Sequence, residues 1–375
     1  MKFVISSTKL SSHLLTLGRI IAQKNSMPIL NCFCFDIKGN TLQVTASDND
    51  STLTTHLELI ESEEDIRFAI NAKTLQDAIK EVPEQPLDFF VNTENFEITI
   101  AYQNGQYKLM GQSAEDYPIP AIDHNGELKL EMDVNQVLHG ISRAIVAAAV
   151  DMARPQLNAV CFDVRQDSLS MVASNGNQLA LTSIKDIAAP EGEGVFLLAS
   201  RPASVLKGIL AKENGSVHMR FGQRAATFET EEYTFTSRLV EGRYPNYRSV
   251  IPVNNPVCFT VNRASIVSVL RRVLIFANPQ AVLVKMRIEP NSINISTQDM
   301  DFGMSAEETL LCDYNGQTMR IAFRGDSLMN MIQNIETDDI TFKVSDPSRA
   351  ALIVPAEQAE TEEVIMLLMP SVFND

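Results

Sequence analysis

Residues 30–48, LNCFCFDIKGNTLQVTASD, lie in register over residues 157–175, LNAVCFDVRQDSLSMVASN, at an offset of 127. Leu, Asn, Cys, Phe, Asp, Leu, Ala and Ser are identical between the two stretches. Each reads as a strand, a tight turn and a second strand, because Lys38-Gly39-Asn40 and Arg165-Gln166-Asp167 separate runs of alternating β-formers. A third hairpin, VKMRIEPNSINISTQ, occupies 284–298. Upstream of the first, Leu10, Leu14, Leu17 and Ile21 recur as Val137, Ile141, Ala144 and Ala148, and again as Ile266, Leu270, Val273 and Ala277. The spacing i, i+4, i+7, i+11 predicts an amphipathic helix opening each third. A second helical segment recurs at 71–82, 199–210 and 323–335, and each third closes on a proline: Tyr117-Pro118, Tyr244-Pro245 and Met369-Pro370. Repeats found first decide the fold. Here they predict three α+β domains, 1–124, 125–254 and 255–375, each with two helices packed on antiparallel sheets, joined near DHNGE (123–127) and PVNNP (252–256).

The 375 residues are 45% hydrophobic and 21% charged, ordinary globular usage that excludes a disordered or fibrous chain. The opening MKFVISSTKLSS is too polar for a secretory signal, and no stretch approaches about 18 apolar residues, so a cytoplasmic protein without a membrane partner is expected. Cys32, Cys34, Cys161, Cys258 and Cys312 are odd in number and lack CxxC spacing, which suggests neither a disulfide framework nor a zinc site.

Few motifs point to chemistry. Asp48-Asn49-Asp50-Ser51-Thr52 fits the DxDxT of aspartate-dependent phosphotransferases, with Asp338-Asp339 able to mimic their distal magnesium carboxylates. The repeats offer a competing reading. Asn175-Gly176-Asn177 and Asp299-Met300-Asp301 occupy the same place, so what the three share is turn chemistry. His13, His56, His124, His139 and His218 lie far apart, without ligand or triad spacing, and no phosphate-cradling glycine loop is present. No metal, cofactor or catalytic residue is expected.

The net charge of −16 argues at first against a nucleic-acid partner. Its distribution reverses that. The six helical stretches together carry +10, so the remainder carries −26. If the helices share a face, that face attracts phosphates on a body that repels them.

With these features the sequence resembles the bacterial sliding clamp, the β subunit of DNA polymerase III. The resemblance covers the whole chain, including the opening MKF, Met27-Pro28-Ile29-Leu30, the segment from Arg238 through Tyr244-Pro245-Asn246-Tyr247 to Arg248, and Met369-Pro370. It implies a non-enzymatic processivity factor: a head-to-tail homodimer closed into a ring, lined by helices, through which duplex DNA threads without sequence preference. Basic positions of the lining match Lys24, Lys73, Arg201 and Arg272, and helix position adds Arg143 and Arg324. The family pocket takes short hydrophobic peptides of the replicative polymerase, clamp loader and repair proteins. It matches Leu157, Ser174, Gly176, Leu179, Pro245, Val250, Leu367, Met369 and Pro370. Asn177, Gln178 and Ser249 stand where the family often has histidine or arginine, and the tail runs on from Ser371 to Asp375. Ring closure should set Ile275 and Phe276 against Tyr107 and Leu109 of the other subunit. The alternatives are an acidic interaction scaffold and a magnesium-dependent phosphohydrolase using Asp48 and Asp50.

Overall fold

Three of the strand-to-helix turns form where a short polar side chain takes over the first free amides. Ser6 Oγ accepts from Lys9 N at 3.2 Å, Asn71 Oδ1 from Thr74 N at 3.0 Å and Asn262 Oδ1 from Ser265 N at 3.1 Å. The computed structural model describes the whole chain except Gln23, Ser26, 120–126, Met152, Ala189, Glu191 and 374–375. The expected join at 124/125, with His124, lies outside the described residues.

The first third runs β1 (Lys2–Ser6), α1 (Ser7–Leu17), β2 (Cys32–Lys38), β3 (Thr41–Ser47), β4 (Ser51–Glu58), β5 (Glu61–Ser62), β6 (Ile66–Asn71), α2 (Ala72–Ile79), β7 (Pro86–Val91), β8 (Glu97–Tyr102) and β9 (Gly105–Ser113). The second repeats it without the short fifth strand: β10 (Leu128–Asp133), α3 (Val134–Ile145), β11 (Ala159–Val164), β12 (Ser168–Ser174), β13 (Gln178–Lys185), β14 (Gly194–Ala199), α4 (Ser200–Leu210), β15 (Ser216–Phe221), β16 (Ala225–Glu229) and β17 (Tyr233–Arg238). The third follows the second: β18 (Val257–Asn262), α5 (Arg263–Val273), β19 (Leu283–Glu289), β20 (Ser292–Asp299), β21 (Met304–Leu311), β22 (Met319–Arg324), α6 (Gly325–Gln333), β23 (Asp339–Val344), β24 (Ala351–Pro355) and β25 (Glu362–Leu368).

The helical stripes are buried as the spacing predicts, with one correction at their ends. Leu10, Leu14, Leu17, Val137, Ile141, Ala144, Ile266, Leu270 and Val273 are all fully buried. The fourth member of each stripe, Ile21, Ala148 or Ala277, lies beyond its α-helix. The quoted hairpins form as read, with Gly39 at φ +56° in the first turn, a conformation that favours glycine.

The described residues form two compact units. Unit 1 contains 1–135 and 204–239, and unit 2 contains 136–203 and 240–375. The middle third is thus divided between them. In unit 1, β10, β15, β16 and β17 continue the sheet of the first third through an antiparallel ladder of β17 on β4, Phe235 opposite Leu53. In unit 2, β11 to β14 continue the sheet of the last third through β13 on β25, Ala180 opposite Met366. Both ladders join the last strand of one third to the third strand of a repeated hairpin unit.

Applying the same rule once more leaves β9 and β21. The outer edge of β9 over Gly105–Met110 has no ladder partner among the described residues, since β6 joins only at Gly111–Ser113. Likewise, among the described residues β21 is the end of a four-stranded sheet, paired to β20.

A buried imidazole backs the unit 1 ladder. Thr55 Oγ1 donates to Glu232 O at 2.8 Å, so it accepts from His13 Nδ1 at 2.9 Å, which fixes the tautomer. Burial holds the His13 pKa below its ordinary value, helped by Lys9 and Lys212 and opposed by Glu232. The unfolded chain therefore binds this proton more readily. Its contribution to unit 1 stability is complete above pH about 6.5 and is lost as pH falls toward the depressed folded value. Urea titrations at pH 7.5 and 5.5 should show a smaller acid loss in His13→Gln than in the native chain. An equal loss would remove His13 as the cause.

Candidate functional site

The helices carry few negative charges, Asp77 in α2 and Asp326 in α6, and five of them leave the first turn without one at some cost. A carboxylate in the first turn stabilises a helix by about 0.3–1 kcal/mol, yet α1 to α5 have none there. Their basic residues fall at both ends: Lys9, Lys73, Arg201 and Arg263 in first turns, and Arg143, Lys207, Arg271 and Arg272 in last turns. Within unit 1, α2 is pinned to α1 by Gln76 Nε2 donating to Leu14 O at 2.6 Å, and Gly18 makes the approach possible because a Cβ there would meet that amide at 2.3 Å. Lys212, two residues past α4, donates from Nζ to Thr16 Oγ1 of α1 at 3.0 Å.

The six basic candidates have different surroundings. Lys24, Lys73 and Arg201 are exposed. Arg272 is exposed but bound through Nε to Glu308 at 2.8 Å, and Arg324 pairs with Asp326 at 2.9 Å. Arg143 differs in kind. Its side chain is only 7% exposed, with Nη2 on Glu336 at 3.0 Å and Nη1 on Glu362 at 2.8 Å. It ties α3 to β25 and to the segment after α6, a packing role that leaves no guanidinium face for a phosphate.

The pocket candidates gather on the unit 2 ladder. Leu179 stands directly opposite Leu367, and both belong to a buried cluster with Cys161, Tyr244, Tyr247 and Leu352, against which Leu157 packs. Met369 leaves the ladder with its N on Asn177 O at 2.8 Å, 37% exposed, while Val250 is 57% exposed and Pro245 and Ser249 are also open. Ser174 Oγ accepts from Gly176 N at 3.2 Å and donates to Gln178 O, setting the turn at Gly176, φ +96°. Gln178 is nine-tenths buried and donates to Val146 O at 3.1 Å, so of the departures from the family pattern Asn177 and Ser249 face solvent and Gln178 does not. Pro370 is half-buried where the tail turns, and Ser371 N reaches Ala322 O at 2.8 Å. Sequence reading missed Leu352 and Val354 as members of this wall. Their strand ALIVP is buried on both faces, so alternation gave no signal.

Tyr107 and Leu109 lie half-buried on the free edge of β9, while Ile275 and Phe276 are 72% and 39% exposed just past α5. Asp48 Oδ1 accepts from Asp50 N at 3.1 Å and Ser51 N at 2.7 Å. Asn175 and Asp299 do the same in the other repeats, so the DxDxT match is an Asx turn with its carboxylate already engaged.

Three family models match in succession: the N-terminal domain of the DNA polymerase III beta subunit over residues 1–123, its central domain over 131–246 and its C-terminal domain over 248–369. Among curated proteins the chain is similar to the beta sliding clamp of Pseudomonas putida, 23% identical over 98% of this chain and 99% of that one. The beta sliding clamp of Haemophilus influenzae is 24% identical with the same coverage. The same fold occurs in a Pseudomonas aeruginosa sliding clamp bound to griselimycin, 23% identical with a TM-score of 0.92, and in the Thermotoga maritima beta subunit, 22% identical with 0.90, each covering all of both chains.

Removing Arg143 would leave Glu336 and Glu362 beside a cavity. Arg143→Ala should cost about 2–3 kcal/mol in urea denaturation, less than a fully buried pair because Glu336 is half exposed. Arg143→Met should lose less. A loss below about 0.5 kcal/mol in Arg143→Ala would contradict the packing role.

Proposed function

The chain belongs to the DNA polymerase III beta-subunit family, and on that premise we propose that it is a sliding clamp: a ring that encircles duplex DNA and tethers a replicative polymerase. It is a processivity factor and not an enzyme. The proposed domains are 1–124, 125–254 and 255–375, and its place is the cytoplasm, with the DNA; no helix among the described residues is long and apolar enough to cross a membrane.

The observation that carries this reading is the unused pair of strand edges. Two ladders of one kind join thirds within the chain, and head-to-tail pairing of β21 with β9 of a second copy makes the third. The repeats also supply its register. Gln112, Val240 and Ser371 are equivalent, because each meets the residue three before its helix, Ala69, Leu197 or Ala322. Five residues earlier stand Tyr107, Phe235 and Met366. The last two pair with Leu53 and Ala180, whose counterpart on β21 is Ala306. Tyr107 therefore faces Ala306, Leu109 faces Met304, and Lys108 lies diagonal to Glu307, an attractive cross-strand arrangement. Ile275 and Phe276, exposed in one chain, gain apolar cover from Tyr107 and Leu109 of the other.

Two such closures make a two-membered ring that holds DNA by topology, so tight phosphate contacts are unnecessary and base contacts would hinder sliding. Lys24, Lys73, Arg201, Arg272 and Arg324, all exposed, supply a sequence-independent attraction; Arg143 is set aside because its side chain is buried between Glu336 and Glu362. The exposed apolar side chains of Val250 and Met369, beside Leu157, Leu179 and Leu367, suit short hydrophobic peptides of the polymerase, clamp loader and repair proteins. Asn177 and Ser249 tune that preference, and methionine adapts to varied side chains. An acidic scaffold would give the charge separation between helices and the rest no role, and a phosphohydrolase would need Asp48 free of its turn.

Loaded by a clamp loader onto a nicked circle, the protein should stay at least tenfold longer than on the linearised DNA. Equal departure from both would exclude topological binding. Lys24→Glu with Lys73→Glu, two exposed positions without an ion pair among the described residues, should lower loading and flatten its salt dependence.

A further inference from the structure

Next to the apolar wall, unit 2 holds a second cavity of about 410 Å³, walled by Asp163, Arg165, Arg243, Tyr247 and Arg248, with Pro245 on its rim. Asp163 lies at its base, 2% exposed. Its carboxylate accepts from Tyr247 Oη at 2.7 Å and pairs with Arg165 Nε at 2.7 Å and Arg248 Nη2 at 3.3 Å. One buried carboxylate thus stands against three guanidinium groups. Glu193 takes a share of Arg165 at 3.3 Å, and Arg248 rests on the Tyr247 ring at 5.2 Å, its side chain still 56% exposed. Among the described residues Arg243 has neither an ion-pair nor a hydrogen-bond partner, and it is exposed on the cavity wall. On a chain of net charge −16, this leaves a concave site with surplus positive charge and an unspent guanidinium.

The position of the cavity narrows its ligand. Pro245 belongs to both the peptide pocket and this cavity, and Tyr247 belongs to both the apolar cluster and this cavity. Arg243 stands two positions from Pro245, at most about 7 Å of extended chain, which two further residues of a bound peptide can match. We infer that this cavity receives an aspartate or glutamate flanking the hydrophobic motif of a partner peptide, with Arg243 as its principal contact and Arg248 as support. This rests on the apolar peptide pocket proposed above and adds a specificity determinant to it. The pairing is charge-assisted and lies at the rim, so it acts mainly as selection among peptides.

The test uses the full-length protein and three blocked peptides sharing one apolar motif of two leucines and a phenylalanine. One has an aspartate pair before the motif, one has the pair after it, and one has asparagines at both places. Fluorescence anisotropy at 0.15 M salt should show one aspartate peptide binding about three- to tenfold tighter than the asparagine peptide. The preference should shrink to within about twofold at 0.5 M salt and in Arg243→Ala, and survive in Arg243→Lys. The asparagine peptide should bind Arg243→Ala and the native protein equally, which also shows that the variant is folded. Equal binding of all three peptides to the native protein, or a preference that persists in Arg243→Ala, would overturn this inference and leave the apolar pocket standing. No binding of the asparagine peptide would overturn the pocket and the inference with it.

Discussion

A strand edge presents backbone donors and acceptors that must find partners, and the fold answers that constraint with a single repeated ladder. The last strand of one third pairs with the third strand of a hairpin unit, as β17 on β4 and β25 on β13. The side chains that back these ladders are specific to each: His13 and Thr55 in unit 1, and Arg143 with Glu336 and Glu362 in unit 2. What is constant is the backbone pairing. Since β9 and β21 bear the same two roles without partners among the described residues, self-association follows from the logic that holds the chain together.

Charge separation builds on that scaffold. Five of the six helices forgo first-turn carboxylates, and α1, α2 and α5 take neutral caps from Ser6, Asn71 and Asn262, so phosphates would meet a surface with few competing anions. The acidic excess lies in sheets and loops, where it discourages DNA from binding elsewhere. The proposed peptide pocket lies on the unit 2 ladder, where Leu179 meets Leu367 and the chain emerges at Met369, so the same ladder that joins two thirds would also wall the pocket.

Most of this architecture was legible in the sequence because it is written three times. The stripes Leu10-Leu14-Leu17, Val137-Ile141-Ala144 and Ile266-Leu270-Val273 are buried as their spacing requires. Ile21, Ala148 and Ala277 overran the helices because the apolar period continues into the following turn, where packing no longer depends on helical phase. Comparing repeats also separated chemistry from geometry at Asp48, whose counterpart Asn175 makes the same turn without a carboxylate. Arg143 was harder. Helix position alone cannot tell an outward cation from one turned toward Glu336 and Glu362, residues 193 and 219 positions away in sequence. The same limit hid the Arg243 cavity, since Asp163 and Arg248 meet only once β11 and the segment after β17 are folded together.

The central claim is the register of the third ladder, and an engineered disulfide tests it most directly. In a Cys258→Ser background, Gln106→Cys and Glu307→Cys would stand opposite each other when Tyr107 faces Ala306. Mild oxidation of the double variant should give a covalent dimer on a denaturing gel, while either single variant stays monomeric. A double variant that links no faster than the singles, or that forms an open ladder of higher multimers, would contradict closure through these two edges.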